Sequence, residues 1–132
     1  MANQQQILRN RQWLNDKASE PGVELIDKGI YRKIIHSGPS SSPTPTRNSV
    51  VVMHYTGKLI NGKAFDSSRG GTPLAIRLRE LIQGLIIAMP HMHVGDRWEI
   101  YIPAEMGYGK SSQPGIPGGS TLIFDIEFKA IG

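Results

Sequence analysis

The chain has 132 residues, of which 39% are hydrophobic and 20% charged, a mixture suited to one globular domain and unlike that of a disordered chain. Its net charge is +4, but Arg9, Arg11 and Lys17 are interleaved with Asp16 and Glu20 and the aromatic residues form no stacking platform, so no nucleic-acid partner is expected. The absence of cysteine excludes disulfides, thiol catalysis and cysteine-ligated zinc, while 15 glycines and 9 prolines favour strands, turns and ordered loops over helices.

Residues 4–18 read as a short polar helix that Glu20-Pro21-Gly22 ends. Ile7, Leu14 and Ala18 share a face, and Trp13 lies off it. So short a helix is marginal alone. The expectation is therefore a frayed N-terminal arm over residues 1–21, loosely docked on a main domain over residues 22–132. The opening MANQQQILRNRQW has no apolar core and is not an export signal as written. The expected location is cytoplasmic, or periplasmic or in the cell envelope if a leader has been removed. The longest apolar run, residues 85–89, is too short to cross a bilayer, and no membrane partner is expected.

Residues 25–35 hold two short strands split by Lys28-Gly29. The Ser/Pro/Thr-rich segment 37–48 reads as a long surface connection. Residues 50–60 form a strong strand, and Asn61-Gly62 predicts a two-residue hairpin in which both residues take positive φ, with 63–67 returning as the partner strand. Residues 72–78 alternate as a further strand. Residues 80–89 give the one internal helix, with Leu81, Ile82, Leu85, Ile86 and Met89 on a broad apolar stripe and Pro90 just beyond as its stop. Residues 97–103 point Trp98, Ile100 and Ile102 one way and Arg97, Glu99 and Tyr101 the other. A Gly/Pro loop over 104–120 leads to residues 121–131, with Leu122, Phe124, Ile126 and Phe128 inward and Asp125, Glu127 and Lys129 outward. A half-buried sheet needs a cover, and the helix over 80–89 is the candidate. The fold class is therefore α+β, a twisted antiparallel sheet wrapped around one short amphipathic helix, with a helical arm ahead of it.

Ordinary catalytic machinery is missing from the sequence: it has no P-loop, dinucleotide fingerprint, nucleophile elbow or HExxH motif. His91 and His93 would share a face on an extended segment, but no third ligand lies near, so no metal site is expected. His54 reads as a satisfied strand histidine. What remains is an apolar set at strand and loop ends, Tyr55, Phe65, Ile82, Tyr108, Ile116 and Phe124, with Asp66 alongside. By composition alone these would be core residues.

Five pieces in register say more: HYTG at 54–57, NGKAFDSS at 61–68, ELIQGL at 80–85, VGDRWEIYIPAEMGYG at 94–109 and STLIFDIEF at 120–128. In this order and spacing the chain resembles an FKBP-type peptidyl-prolyl isomerase over roughly residues 22–131. Gly29 to Tyr31 and the helical arm are similar to the bacterial Mip-like branch. The resemblance implies a shallow apolar pocket between helix and sheet and an isomerase that needs no cofactor. Its partners would be proline-containing polypeptides, with macrolides such as rapamycin as inhibitors. The short arm implies a monomer or weak dimer. Tyr55, Phe65, Asp66, Tyr108 and Phe124 match the family's catalytic positions, and Leu81, Ile82, Leu85, Gln113 and Ile116 its substrate-binding positions. The family's pocket floor is a tryptophan where this chain has Leu85, which implies a deeper pocket with one aromatic contact fewer.

Overall fold

The computed structural model describes residues 3–132, so the first two residues of the expected arm lie outside it. Asn3 caps the first helix, α1 (Gln4–Ala18), its side-chain oxygen accepting from the Gln5 and Gln6 amides at 2.8 and 3.3 Å. The next two strands, β1 (Val23–Asp27) and β2 (Ile30–His36), form a hairpin over Lys28 and Gly29, both at positive φ (50° and 77°). That pair of left-handed residues matches the twist of the flanking strands.

The following strands are β3 (Val50–Lys58), β4 (Ala64–Ser67) and β5 (Leu74–Arg77). The Asn61-Gly62 turn differs from expectation, because only Gly62 takes positive φ. The Gly62 amide donates to Leu59 O and the Leu59 amide to Lys63 O, each at 2.9 Å, which makes a three-residue loop with glycine in the left-handed position.

The internal helix is also shorter than expected. A 3₁₀ turn (Leu78–Glu80) closes through the Leu81 amide on Leu78 O. The chain then extends at Leu81 and Ile82 before α2 (Gln83–Ala88) begins, and Pro90 sits inside a second 3₁₀ turn (Met89–His91). The apolar stripe serves three short pieces in place of one helix. His91 accordingly ends a 3₁₀ turn and does not lie on an extended segment.

Strands β6 (Arg97–Ile102) and β7 (Leu122–Ile131) complete a seven-stranded antiparallel sheet. Its order is β1-β2-β6-β7-β3-β4, with β5 on β3 beyond the end of β4. The fold is α+β. Inward residues Val51, Met53, Trp98, Ile100, Ile102, Leu122, Phe124, Ile126 and Phe128 form one core with Leu85, Ala88 and Met89. Burying a side chain of this size stabilises by roughly 1.5–3 kcal/mol. The loop before β3 is stitched down: the buried Asp96 carboxylate accepts from the Gly38 and His93 amides at 2.7 and 2.9 Å, and Pro43 O accepts from the Val94 amide.

The arm is not loosely docked. Leu14 packs with Tyr101 and Ile123 on the outer sheet face, and Trp13 joins them, its ring 5.9 Å from that of Tyr101. Lys17 Nζ lies 5.3 and 5.5 Å from these two rings. Tyr101, expected to face outward, does so but is wholly covered. Burial, and then its hydroxyl bond to Glu99 at 2.6 Å, push its ionisation far above the usual range.

Gly84 lets α2 lie against β6. A Cβ there would stand 2.5–3.0 Å from three side-chain carbons of the fully buried, β-branched Ile102. Gly84→Ala is predicted to destabilise the domain by about 1–3 kcal/mol through overpacking, read as a lowered urea midpoint. An unchanged midpoint would refute the contact.

Candidate active site

Between α2 and the sheet lies a cleft of about 350 Å³, bordered by residues from six separate segments. From β3 come Met53 and Tyr55, and from β4 Phe65 and Asp66. Leu74 comes from β5, and Glu80, Leu81, Ile82 and Leu85 from the turn, its extended exit and α2. Tyr108 and Phe124 come from the β6–β7 loop and β7.

Consecutive residues of a regular strand face opposite ways. Phe65 and Asp66 both border the cleft because β4 carries an extra residue: Gly57 pairs with Asp66, but the next residue, Lys58, pairs with Ala64. Leu81 and Ile82 both reach it because the chain is extended there. The Ile82 amide makes no hydrogen bond among the described residues.

The floor is aromatic and tightly set. The rings of Phe65 and Phe124 meet edge to face, 5.7 Å between centroids at 85°. They meet over Gly57, which pairs with Phe124 on one side and Asp66 on the other. A Cβ at Gly57 would lie 2.5 Å from Phe65 Cζ and 3.0 Å from Phe124 Cε1. Met53 and Leu85 are buried, 1% and 3% exposed, while Tyr108 is 38% exposed at the mouth.

The polar element is one pair. Tyr55 donates its hydroxyl to Asp66 Oδ2 at 2.7 Å, and the Ser67 amide donates to Asp66 Oδ1 at 2.9 Å, so both carboxylate oxygens are engaged. Partial burial, then the Asp66 hydrogen bond and charge, push the Tyr55 pKa up to about 12. His54 bonds Ser68 Oγ at 3.0 Å through Nδ1.

Of the residues singled out from the sequence, Tyr55, Phe65, Asp66, Leu81, Ile82, Leu85, Tyr108 and Phe124 meet in this cleft. Gln113 and Ile116 do not border it. They pair with each other across a tight bridge, Gln113 exposed at the loop tip and Ile116 buried in the core. Met53, Leu74 and Glu80 border it without having been singled out. Met53 was open to inference, since it lies two residues before Tyr55 on the same strand face. Three other hollows, about 330, 360 and 580 Å³, flank α1. The cleft differs from them in bringing the edge-to-face rings of Phe65 and Phe124 and the hydrogen-bonded Tyr55–Asp66 pair to one space, which makes it the chemical candidate.

Residues 42–129 match the family model described as FKBP-type peptidyl-prolyl cis-trans isomerase. The chain belongs to this family. Among FKBP-type relatives it is 35% identical over 125 residues to the peptidyl-prolyl cis-trans isomerase Mip of Coxiella burnetii, covering 93% of this chain and 54% of that protein. It is 38% identical to the FKBP-type 22 kDa peptidyl-prolyl cis-trans isomerase of Escherichia coli, covering 90% and 58%. This FKBP-type chain thus spans little more than half the length of these curated relatives. The crystal structure of a peptidyl-prolyl cis-trans isomerase from Pseudomonas syringae superposes with a TM-score of 0.91 at 28% identity, covering 100% of this chain and 97% of that one.

A raised pKa makes Tyr55 a neutral donor throughout the physiological range. Its contribution to stability is whole below the ordinary tyrosine value of 10.0 and is lost as pH rises through about 12. Absorbance titration at alkaline pH should show a tyrosine ionising near pH 12 in the parent protein and missing from Tyr55→Phe. If the group lost in that variant is one that ionises near the ordinary value of 10.0, the Tyr55–Asp66 bond is contradicted.

Proposed function

We propose that this chain is a peptidyl-prolyl cis-trans isomerase acting on exposed X-Pro bonds of proline-containing polypeptides. The observation that carries the reading is one shared cleft holding Phe65, Phe124, Leu85, Tyr108 and the Tyr55–Asp66 pair, in a chain of FKBP type.

The chemistry follows from the amide. Its C–N bond has partial double-bond character, and rotation costs roughly 18–20 kcal/mol. The twisted state has lost that resonance and is less polar than either planar state. A dry apolar cradle disfavours the planar imide more than the twisted one, which is differential binding of the transition state. Phe65, Leu85 and Phe124 hold the proline ring. Tyr108 donates its hydroxyl to one substrate carbonyl at the mouth, and the free Ile82 amide to a second. Tyr55, kept neutral, and Asp66 fix the pocket wall beside the rotating carbonyl. No bond to the protein forms or breaks.

A second reading, a binding or chaperone module using the same cleft without turnover, is favoured by one observation: Leu85 stands at the floor where the family has tryptophan. A protease-coupled assay on a short prolyl peptide separates the two. The same cleft would bind macrolides such as rapamycin, and a monomer or weak dimer is the proposed state.

Phe65→Ala should cut kcat/KM on that peptide at least about tenfold while the domain stays folded, and parental rates from the folded variant would remove the role given to Phe65. Leu85→Trp adds a third aromatic ring to the floor. It should tighten rapamycin binding by about threefold or more, measured by fluorescence or calorimetry, provided the larger ring packs without strain. Affinity unchanged in a folded Leu85→Trp protein would show that residue 85 does not lie under the bound ring.

A further inference from the structure

The loop over residues 103–121 carries Tyr108 to the mouth of the cleft. Inside, it is held by its own bonds. The Gly107 and Gly109 amides donate to Ala104 O at 2.9 and 2.7 Å, the Gly119 amide donates to Gly109 O at 2.8 Å, and the Gly118 amide to Ser112 Oγ at 3.1 Å. These bonds fold the loop on itself but do not fasten its returning end.

That end is Thr121, 2% exposed, one residue before β7 and outside the strand ladder. Its amide donates to Asn10 Oδ1 at 2.8 Å, and its hydroxyl to Asn10 O at 3.2 Å. Asn10 is itself 2% exposed in the middle of α1, and its amide nitrogen donates to Gln6 O at 2.8 Å. Every polar atom of the asparagine side chain is committed. A buried asparagine on an otherwise polar helix is costly to keep unless its partners need it. Here the partner is a backbone amide with no other acceptor among the described residues.

We propose that Asn10 is a positioning residue for the cleft: from α1 it fastens the returning end of the loop that presents Tyr108, so that docking of the arm sets the geometry of the site. The inference rests on the isomerase reading for its kinetic half only. Two of the hollows beside α1 are bordered by Asn10, one reaching Thr121 and Gly109 and the other Ser120 and Pro117. Without the asparagine side chain, water enters from either side and replaces the bond to Thr121. The loop is then free to move, although the apolar contacts of Leu14 and Trp13 keep the helix in place.

The test uses the full chain, below its unfolding transition. Asn10→Ala should lower kcat/KM on a prolyl peptide at least about threefold and speed hydrogen exchange of the Gly109 and Gly119 amides at least about tenfold. Asn10→Asp, as the neutral acid that burial beside the Gln6 carbonyl favours, keeps an oxygen that accepts from Thr121 and an O–H that donates to Gln6 O, and should bring both readouts back to within about twofold of the parent. A merely structural asparagine would shift the melting temperature and leave both readouts alone. Unchanged exchange and turnover in folded Asn10→Ala, faster exchange with unchanged turnover, or a loss that Asn10→Asp does not restore, each overturns the proposal. Should Asn10→Ala not fold, Thr121→Val, which removes only the hydroxyl bond, decides by the same two measurements. A parent protein without isomerase activity sinks the isomerase reading alone. In that case faster exchange in Asn10→Ala upholds the tether, and unchanged exchange overturns it.

Discussion

The cleft depends on a side chain that is missing. Gly57 lies in β3 with Asp66 paired on one side and Phe124 on the other. Because it has no Cβ, the rings of Phe65 and Phe124 close over it edge to face and make the apolar floor. Any larger residue would push Phe65 outward, since Phe124 is anchored in a central strand. The surrounding features serve that arrangement. The extra residue in β4 turns Phe65 and Asp66 to the same side, and the extended break before α2 does the same for Leu81 and Ile82. These two departures from regular geometry bring neighbouring residues to the cleft together, where a regular strand would have turned one of each pair away.

The polar chemistry follows a similar economy. A single hydroxyl–carboxylate bond, Tyr55 to Asp66, is the only hydrogen bond between side chains bordering the cleft among the described residues. Asp66 is further occupied by the Ser67 amide, so it is held in orientation. An apolar floor with one engaged polar pair suits a reaction in which charge separation falls as the bond twists.

Much of the fold was legible as alternation. Leu122, Phe124, Ile126 and Phe128 read as inward and are buried, because a two-residue period survives in any half-buried strand. Ile123 and Tyr101 on the other face are buried as well, and there the pattern was silent: their cover is α1, which docks through Leu14 and also through Trp13, a residue that helical spacing of apolar side chains did not mark. The apolar stripe over 80–89 read as one helix, since 3₁₀ turns and an extended step can bury the same residues and periodicity alone cannot separate them. In the cleft, Tyr55, Phe65, Asp66, Tyr108 and Phe124 stood in recognisable motifs. Leu74 did not, because it enters through β5 pairing, and Glu80, although within a motif, reaches the cleft through a turn that only the three-dimensional structure reveals. Gly57 lay within a motif, but the reason for it, a close approach of two rings, is invisible until both rings are placed.

The strand order carries a further meaning for how the chain is made. The strand over Leu122–Ile131 is late in the chain, yet it lies between β6 and β3 and ladders with both along most of its length. Until it emerges from the ribosome, the strands made earlier form two unjoined halves, each with an open edge facing the gap. Synthesis therefore leaves this domain incompletely folded until that strand arrives, and joining the halves requires contacts distant in sequence, which slows folding. During that interval the exposed edges are open to chaperones and to neighbouring nascent chains.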